Sequence, residues 1–421
     1  MTDQRRCEIL GAERGNGKGP VLYWMLRDMR VDCNWALLKA IEIATLHETS
    51  VVVLVLAIPN YLKWTARHYH FMFQGMKEVR HSLISKNINF RMIKSDSPVD
   101  SVAKLVKELD ACQVVTDFLP LREKLGWDKN IASALKVPFV RVDAHNIVPC
   151  FVASPKQEYA ARTIRPKIMN ILNDFLTPFP DVQEMRLTSF RNTEEKELDS
   201  LYDAMISQGS FNKQIHQVDE YFKPGYVAGI EKLNSFLHKN RLGRFDTHRN
   251  DPNHGKVISG LSPYINFGHI SAQNVVSKAQ EFSKENKLSS KSLAVFVEEI
   301  VVRRELSDNF CFYNSNYDRL ECAYQWAQDT LALHSKDSRE YVYSYETFAQ
   351  GKTHDDLWNA AQIQLVKEGK MHGFLRMYWC KKILEWTESP QQALEFALDL
   401  NDTFAIDGNC PNGFVGVGMY H

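Results

Sequence analysis

Thr353-His354-Asp355-Asp356-Leu357-Trp358-Asn359-Ala360-Ala361-Gln362, followed by Lys370-Met371-His372-Gly373-Phe374-Leu375-Arg376-Met377-Tyr378-Trp379, places two tryptophans and several polar groups in closely packed helix. Trp386 comes seven residues after Trp379. Oxidisable rings laid out in this way point to a buried site, although a single tryptophan is most often core packing.

Around this block the pattern is helical throughout. Beyond Gly225 strand signals almost vanish, and apolar residues recur at helical spacing through Ile230 to Leu237, Ala294 to Val302, Trp358 to Val366, Phe374 to Leu384 and Ala393 to Leu400. The polar stretch Glu281 to Lys291 reads as an exposed loop, and Asn401-Asp402 as a helix C-terminal cap or turn.

The first part of the chain is different. Strand-like runs at Val21 to Met25, Val51 to Ile58, Asn89 to Ile93, Ala111 to Thr116 and Pro138 to Val142 alternate with helical stretches at Trp35 to Leu46, His70 to Ser85 and Val99 to Leu109. That alternation predicts a parallel, doubly wound α/β domain. The expected organisation is a flexible tail over 1–19, an α/β domain over 20–150, a proline-interrupted connection over 151–220 and an all-helical domain over 221–421.

A length of 421 residues suits two lobes better than one core. With 44% hydrophobic and 24% charged residues the composition is that of a soluble globular protein, and the longest apolar run is too short to span a bilayer. The eight cysteines form no CxxC pair and no zinc spacing, so no metal is expected and reduced, mostly buried thiols are. Net charge is +0, so attraction to a polyanion would have to come from uneven placement of Lys and Arg.

Two further motifs carry chemistry. Val257-Ile258-Ser259-Gly260-Leu261-Ser262-Pro263-Tyr264 sets two hydroxyls and a glycine before a proline suited to a first helical turn. Such a start caps a helix, and its N–H groups and hydroxyls can also hold a phosphate. Glu298-Glu299-Ile300-Val301-Val302-Arg303-Arg304-Glu305-Leu306 has i,i+4 spacing, Glu299 with Arg303 and Ile300 beside Arg304, as in a solvated ion-pair ladder.

The Thr353 to Trp386 block resembles the class II cyclobutane pyrimidine dimer photolyases. The resemblance continues through Leu400-Asn401-Asp402, Ser259 to Tyr264, Asn266 to Ser271, Arg249-Asn250-Asp251-Pro252, Asp308 to Tyr313, Tyr23 to Val31, Asn34 to Leu38, Val142 to Cys150 and Glu158 to Lys167, covering about Val21 to Gly416. It implies a Rossmann-like antenna domain and an all-α FAD-binding domain. The implied function is light-dependent repair of cyclobutane pyrimidine dimers by electron transfer from photoexcited reduced FAD to a flipped-out dimer.

By that resemblance Phe245, Arg249, Ser259, Gly260, Leu261, Ser262, Arg376, Asn401 and Asp407 line the FAD site, with Ser259 to Ser262 on the pyrophosphate and Asn401 facing the flavin N5. Phe245 stands where the superfamily often has a tyrosine. Glu299, rather than Glu298, is the expected acid at the dimer, protonated by burial so that it can donate to a pyrimidine carbonyl. Arg303 and Arg304 are expected at flavin or DNA. Trp379, nearest the flavin, Trp358 and Trp386 form the implied photoreduction relay to the surface, with Tyr378 assisting.

An antenna of the 8-hydroxy-5-deazaflavin type is left open, since no residue pattern specifies one. The partner is double-stranded DNA carrying a dimer, with no membrane; a monomer, intracellular and nuclear in a eukaryote, is expected. The chain departs from the family after Gly416. Met419 takes the place of a tryptophan that in relatives helps form the dimer cavity, and the helical tail that follows there is missing, so a truncated isoform lacking repair activity is one alternative. A cryptochrome-like photosensor is the other.

Overall fold

The computed structural model describes residues 1–12, 15–186, 188, 190–209, 215 and 217–418. Six strands form one sheet: β1 (Cys7–Ile9), β2 (Val21–Met25), β3 (Val51–Ala57), β4 (Asn89–Lys94), β5 (Gln113–Asp117) and β6 (Phe139–Val142). Their spatial order is β1-β6-β5-β2-β3-β4, parallel except for β1. Every residue of β2 and β3 is buried, because a parallel strand is covered on both faces and must be apolar without alternation. The crossovers carry α1 (Trp35–Leu46), α2 (Ala66–Ile84), α3 (Pro98–Leu109) and α4 (Arg122–Ala134).

The tail expected over 1–19 is corrected at Gln4–Ile9. A short 3-10 turn leads into β1, which pairs antiparallel with β6, Cys7 opposite Val142. Arg6 is buried, and its guanidinium donates to the carbonyls of Asp143, Asn146 and Ile147 at 3.2, 3.0 and 2.8 Å. A three-residue strand is too short to show a period, and its anchor is a charged residue that reads as exposed.

The connection is more ordered than its prolines imply. It holds α5 (Cys150–Ala153), α6 (Ala161–Phe175) and α7 (Glu195–Gln208). Pro166 lies inside α6, whose Ile164, Ile168, Leu172 and Phe175 form a buried stripe. Thr193 lies along the outer edge of β4, its N–H donating to the Phe90 carbonyl at 2.8 Å and its hydroxyl accepting from Met92 N–H at 2.9 Å. The linker thus covers a sheet edge that would otherwise present unpaired groups.

The second lobe is helical among the described residues. It comprises α8 (Tyr226–Phe236), α9 (Phe245–His248), α10 (Ser262–Asn266), α11 (Ala272–Glu285), α12 (Ser290–Val297) and α13 (Arg304–Tyr313). These are followed by α14 (Gln325–Leu333), α15 (Tyr345–Ala349), α16 (Asp356–Glu368), α17 (Gly373–Glu385), α18 (Pro390–Phe404) and α19 (Pro411–Gly418). The loop expected over Glu281 to Lys291 shrinks to the turn between α11 and α12, since α11 runs on to Glu285. Asn401 and Asp402 lie within the last turn of α18 rather than after it.

The lobes meet at the switch point of the sheet, where β2 and β5 part. Asp117 at the end of β5 accepts the backbone N–H groups of Leu26, Arg27 and Asp28 at 2.8, 2.8 and 3.1 Å. This aims Arg27 across the interface to Asp308 of α13, in a buried bidentate pair at 2.6 and 2.9 Å. Gly268 lets the backbones touch: its φ is +65°, and a Cβ there would lie 2.1 Å from the Arg27 carbonyl oxygen.

Candidate functional site

Where the helices converge they leave a cavity of about 230 Å³. Phe245, Leu261, Ile265, Phe296 and Ile300 supply its apolar walls; Ser259, Ser262, Glu299, Arg304, Arg376 and Asp407 supply polar groups. Arg27 and His145 reach it from the α/β lobe. The site is therefore shared between domains, with aromatic and aliphatic walls and a few convergent polar groups.

Ser259 to Ser262 enter α10 at one wall. Gly260 has φ +68°, and a Cβ on it would stand 2.8 Å from the Lys232 side chain. Ser262 Oγ accepts from Lys370 Nζ, which also lies 2.7 Å from Asp407 Oδ2. Arg376 Nη2 is 3.7 Å from the other Asp407 oxygen, which is buried without a hydrogen-bond partner. Burial alone would raise the Asp407 carboxyl, but Lys370 and Arg376 outweigh it and hold the group well below the usual carboxylate range.

Between α12 and α13 the chain makes a π turn over Glu298–Arg303, at the cavity wall. The wider turn replaces the i,i+4 ladder expected there. Arg303 pairs with Glu298, five residues back, at 3.1 Å, and Glu298 also receives Arg165 at 2.8 and 2.7 Å. Glu299 faces the cavity and pairs with Arg249 at 2.8 Å. Its side chain is 36% exposed, so the buried acid expected here is corrected to one member of a half-exposed ion pair. Arg304 lines the cavity and is fixed by the Ile300 carbonyl, Asn146 Oδ1 and Glu305 at 2.9, 3.3 and 3.2 Å.

The three tryptophans are buried and in contact. Trp379 and Trp358 are stacked, centroids 6.1 Å apart and planes at 4°, and Trp386 stands 6.2 Å from Trp358 at 66°. Trp386 is only 2% exposed, so it does not itself reach solvent as expected. Tyr343 and His354 pack on it at 5.9 and 4.8 Å, and Tyr341, 38% exposed, stacks on His354 at 3.8 Å. Tyr378 donates to Asp355, the N-cap residue of α16.

Asn401 is buried, its side-chain amide donating to Asp402 Oδ1 at 2.9 Å. Its Nδ2 lies 3.0 Å from where a Cβ on Gly413 would stand, so this glycine lets the cavity-lining start of α19 approach it. Met419 lies outside the described residues. Arg27, His145, Asp308, Lys370 and Asn412 were not singled out from sequence. Arg27, His145, Asp308 and Lys370 stand in blocks that carry the resemblance but had been given no role.

All eight cysteines are free, three buried and five half-buried, which corrects the expectation of mostly buried thiols. Among the described residues no cluster of three or more His, Cys, Asp or Glu could hold a metal ion, and no helix is long and apolar enough to cross a membrane.

Comparison with known proteins bears on this arrangement. A family model described as DNA photolyase matches residues 21–184. The chain is 48% identical to the deoxyribodipyrimidine photo-lyase of Potorous tridactylus over 94% of this chain and 73% of that protein. It is 42% identical to that of Arabidopsis thaliana over 94% of this chain and 80% of the other. In fold it is similar to a class III photolyase from Agrobacterium tumefaciens, with a TM-score of 0.75 at 16% identity, covering 97% of this chain and 80% of that one. A Synechocystis cryptochrome gives 0.72 at 16% identity, over 95% and 82%.

Proposed function

The chain belongs to the DNA photolyase family, and we propose that it is a class II enzyme that repairs cyclobutane pyrimidine dimers in double-stranded DNA. The observation that carries the reading is one cavity bounded by the Ser259–Ser262 loop and an acid–arginine pair, with a contiguous tryptophan chain in the same helical lobe. The lesion is extruded from the duplex to reach it, which costs less for a poorly stacked pair than for an intact one.

The residues present fit FAD. The Ser259 and Ser262 hydroxyls with Lys232 suit a diphosphate, and Leu261, Phe296 and Ile300 suit a flat ring. The unpartnered buried Asp407 oxygen calls for a donor from a ligand. Bound and reduced, FAD supplies on absorbing light the electron that splits the dimer. Asn401 and Asp407 orient the ring from the α18 to α19 side. At the mouth, Arg249 offers N–H donors to a pyrimidine carbonyl or a phosphate while Glu299 accepts from a pyrimidine N–H. Trp379, Trp358 and Trp386 carry an electron inward, with Tyr343, His354 and Tyr341 completing the path to solvent.

The apolar void at the C-terminal ends of β2 and β3, lined by Met25, Met29, Tyr61, Trp64 and Met72, holds only about 10 Å³, too little for an antenna of the 8-hydroxy-5-deazaflavin type. The protein acts as a monomer, in the compartment that holds the genome. The test is light-dependent repair of a defined thymine-dimer oligonucleotide by the purified chain, with its absorption spectrum recorded on the same sample. Repair with bound flavin is the expected result; flavin that photoreduces without repair overturns the enzyme assignment.

A further inference from the structure

We infer that Lys370 is a positioning residue of the flavin site, fixing one Asp407 oxygen so that the other faces the cavity as the acceptor for an imide N–H of the bound ring. This rests on the FAD reading above and adds to it the group that sets which ring chemistry the site accepts.

The placement is built into the backbone. Gly369 ends α16 in the left-handed region, φ +72°, and Lys370 follows it directly. The Gly369 carbonyl accepts the N–H of Ile406 at 2.8 Å, so the residues preceding Lys370 and Asp407 are tied side by side. From there Lys370 Nζ reaches Asp407 Oδ2 at 2.7 Å and also donates to Ser262 Oγ. One ammonium thereby joins the loop that opens α10 to the loop after α18.

Asp407 Oδ1 is the consequence. It is buried and has no hydrogen-bond partner, and Arg376 Nη2 at 3.7 Å is beyond hydrogen-bond reach. An orphaned carboxylate oxygen beside a cavity is costly unless a ligand donor completes it. The isoalloxazine ring presents one imide N–H between two carbonyls, and a carboxylate accepts from it whereas a carboxylic acid does not serve as well.

The groups facing Asp407 are Lys370 from the loop after α16, Arg376 from α17, Ser262 from α10, Cys410 on its own loop and His68 from α2. His68 is kept neutral by burial, down at about 4, and the Cys410 thiol is pushed up to about 12, so neither supplies positive charge near neutrality. Without Lys370, burial is opposed by Arg376 at its longer distance, and the carboxyl moves upward. The sign follows: the acceptor is then lost as pH falls.

The experiment titrates the full chain, stripped of flavin, with FAD and with N3-methylated flavin by fluorescence quenching between pH 6 and 8.5. The wild-type chain is expected to bind FAD equally across that range and to prefer the N3–H ring at least about tenfold. Lys370→Met is expected to bind comparably at pH 8.5, to weaken about tenfold towards pH 6, and to lose most of the N3–H preference, while Lys370→Arg restores both. Melting curves check the fold, and Lys370→Gln replaces Lys370→Met if that variant does not fold. A Lys370→Met profile and preference identical to wild type overturn the inference. Failure of the wild-type chain to take up any flavin overturns instead the FAD reading on which it stands.

Discussion

The Trp358 indole N–H donates to the backbone carbonyl of Trp379 at 3.1 Å while the two rings stack at 4°, so one hydrogen bond fixes the spacing of two redox-capable side chains on different helices. Trp379 is held in turn by Gln362 Oε1, which accepts its indole N–H at 2.9 Å. Both N–H groups are satisfied, as buried indoles require.

Trp358→Phe removes the middle ring of the chain and its N–H. Flavin photoreduction under blue light is expected to be lost, whereas repair by chemically reduced protein persists. The stability cost should be about 2 kcal/mol from the lost hydrogen bond and volume, read by urea titration. Unchanged photoreduction would remove the chain from the electron path.

Glu299 and Glu298 are adjacent in sequence and separable in effect. Glu299→Ala, which leaves Arg249 without its partner, is expected to lower repair and weaken binding of dimer-containing oligonucleotide. Glu298→Gln breaks the pairs to Arg165 and Arg303, both more than a third exposed, and should cost less than about 1 kcal/mol with repair intact. The opposite assignment of effects would exchange their roles.

Asp308→Asn leaves the Arg27 guanidinium buried against a neutral partner at the lobe interface. The loss should be about 3–5 kcal/mol in chemical denaturation, and Arg27→Met with Asp308→Leu should recover part of it, since the penalty lies in the uncompensated charge.

Stability should fall on both sides of neutrality, for different reasons. Burial lowers His68 and His145 to about 4 and His269 to about 3. The unfolded chain then binds more protons below the ordinary histidine value of about 6.5, and stability drops as pH falls from there towards 4. Glu305 is raised by burial to about 8, so its contribution is full below the ordinary glutamate value and declines as pH rises through 8. Glu305→Gln should remove the fall in melting temperature between about pH 6.5 and 8 and steepen the fall on the acid side, where the Glu305 contribution opposes that of the histidines.

The strands of the α/β lobe were legible because a parallel strand buried on both faces must be a continuous apolar run, and Val51–Ala57 is one. The serine–glycine loop, the tryptophans and Glu299 were legible as residue types in recognisable blocks. Their partners were not. Arg249 meets Glu299 across fifty residues of chain, and Arg27 meets Asp308 across 281.

By itself the sequence determined the two-lobed plan and which residues carry chemistry, because hydrophobic period and residue type are local properties. The tertiary structure decided which charges neutralise one another. The π turn at Glu298–Arg303 widens the spacing there, so that Glu298 joins Arg303, five residues on, and Arg165, while Glu299 pairs with Arg249 and faces the cavity. It also decided that Lys370, unremarkable in composition, stands between Ser262 and Asp407, since only folding brings three separate loops within reach of one ammonium.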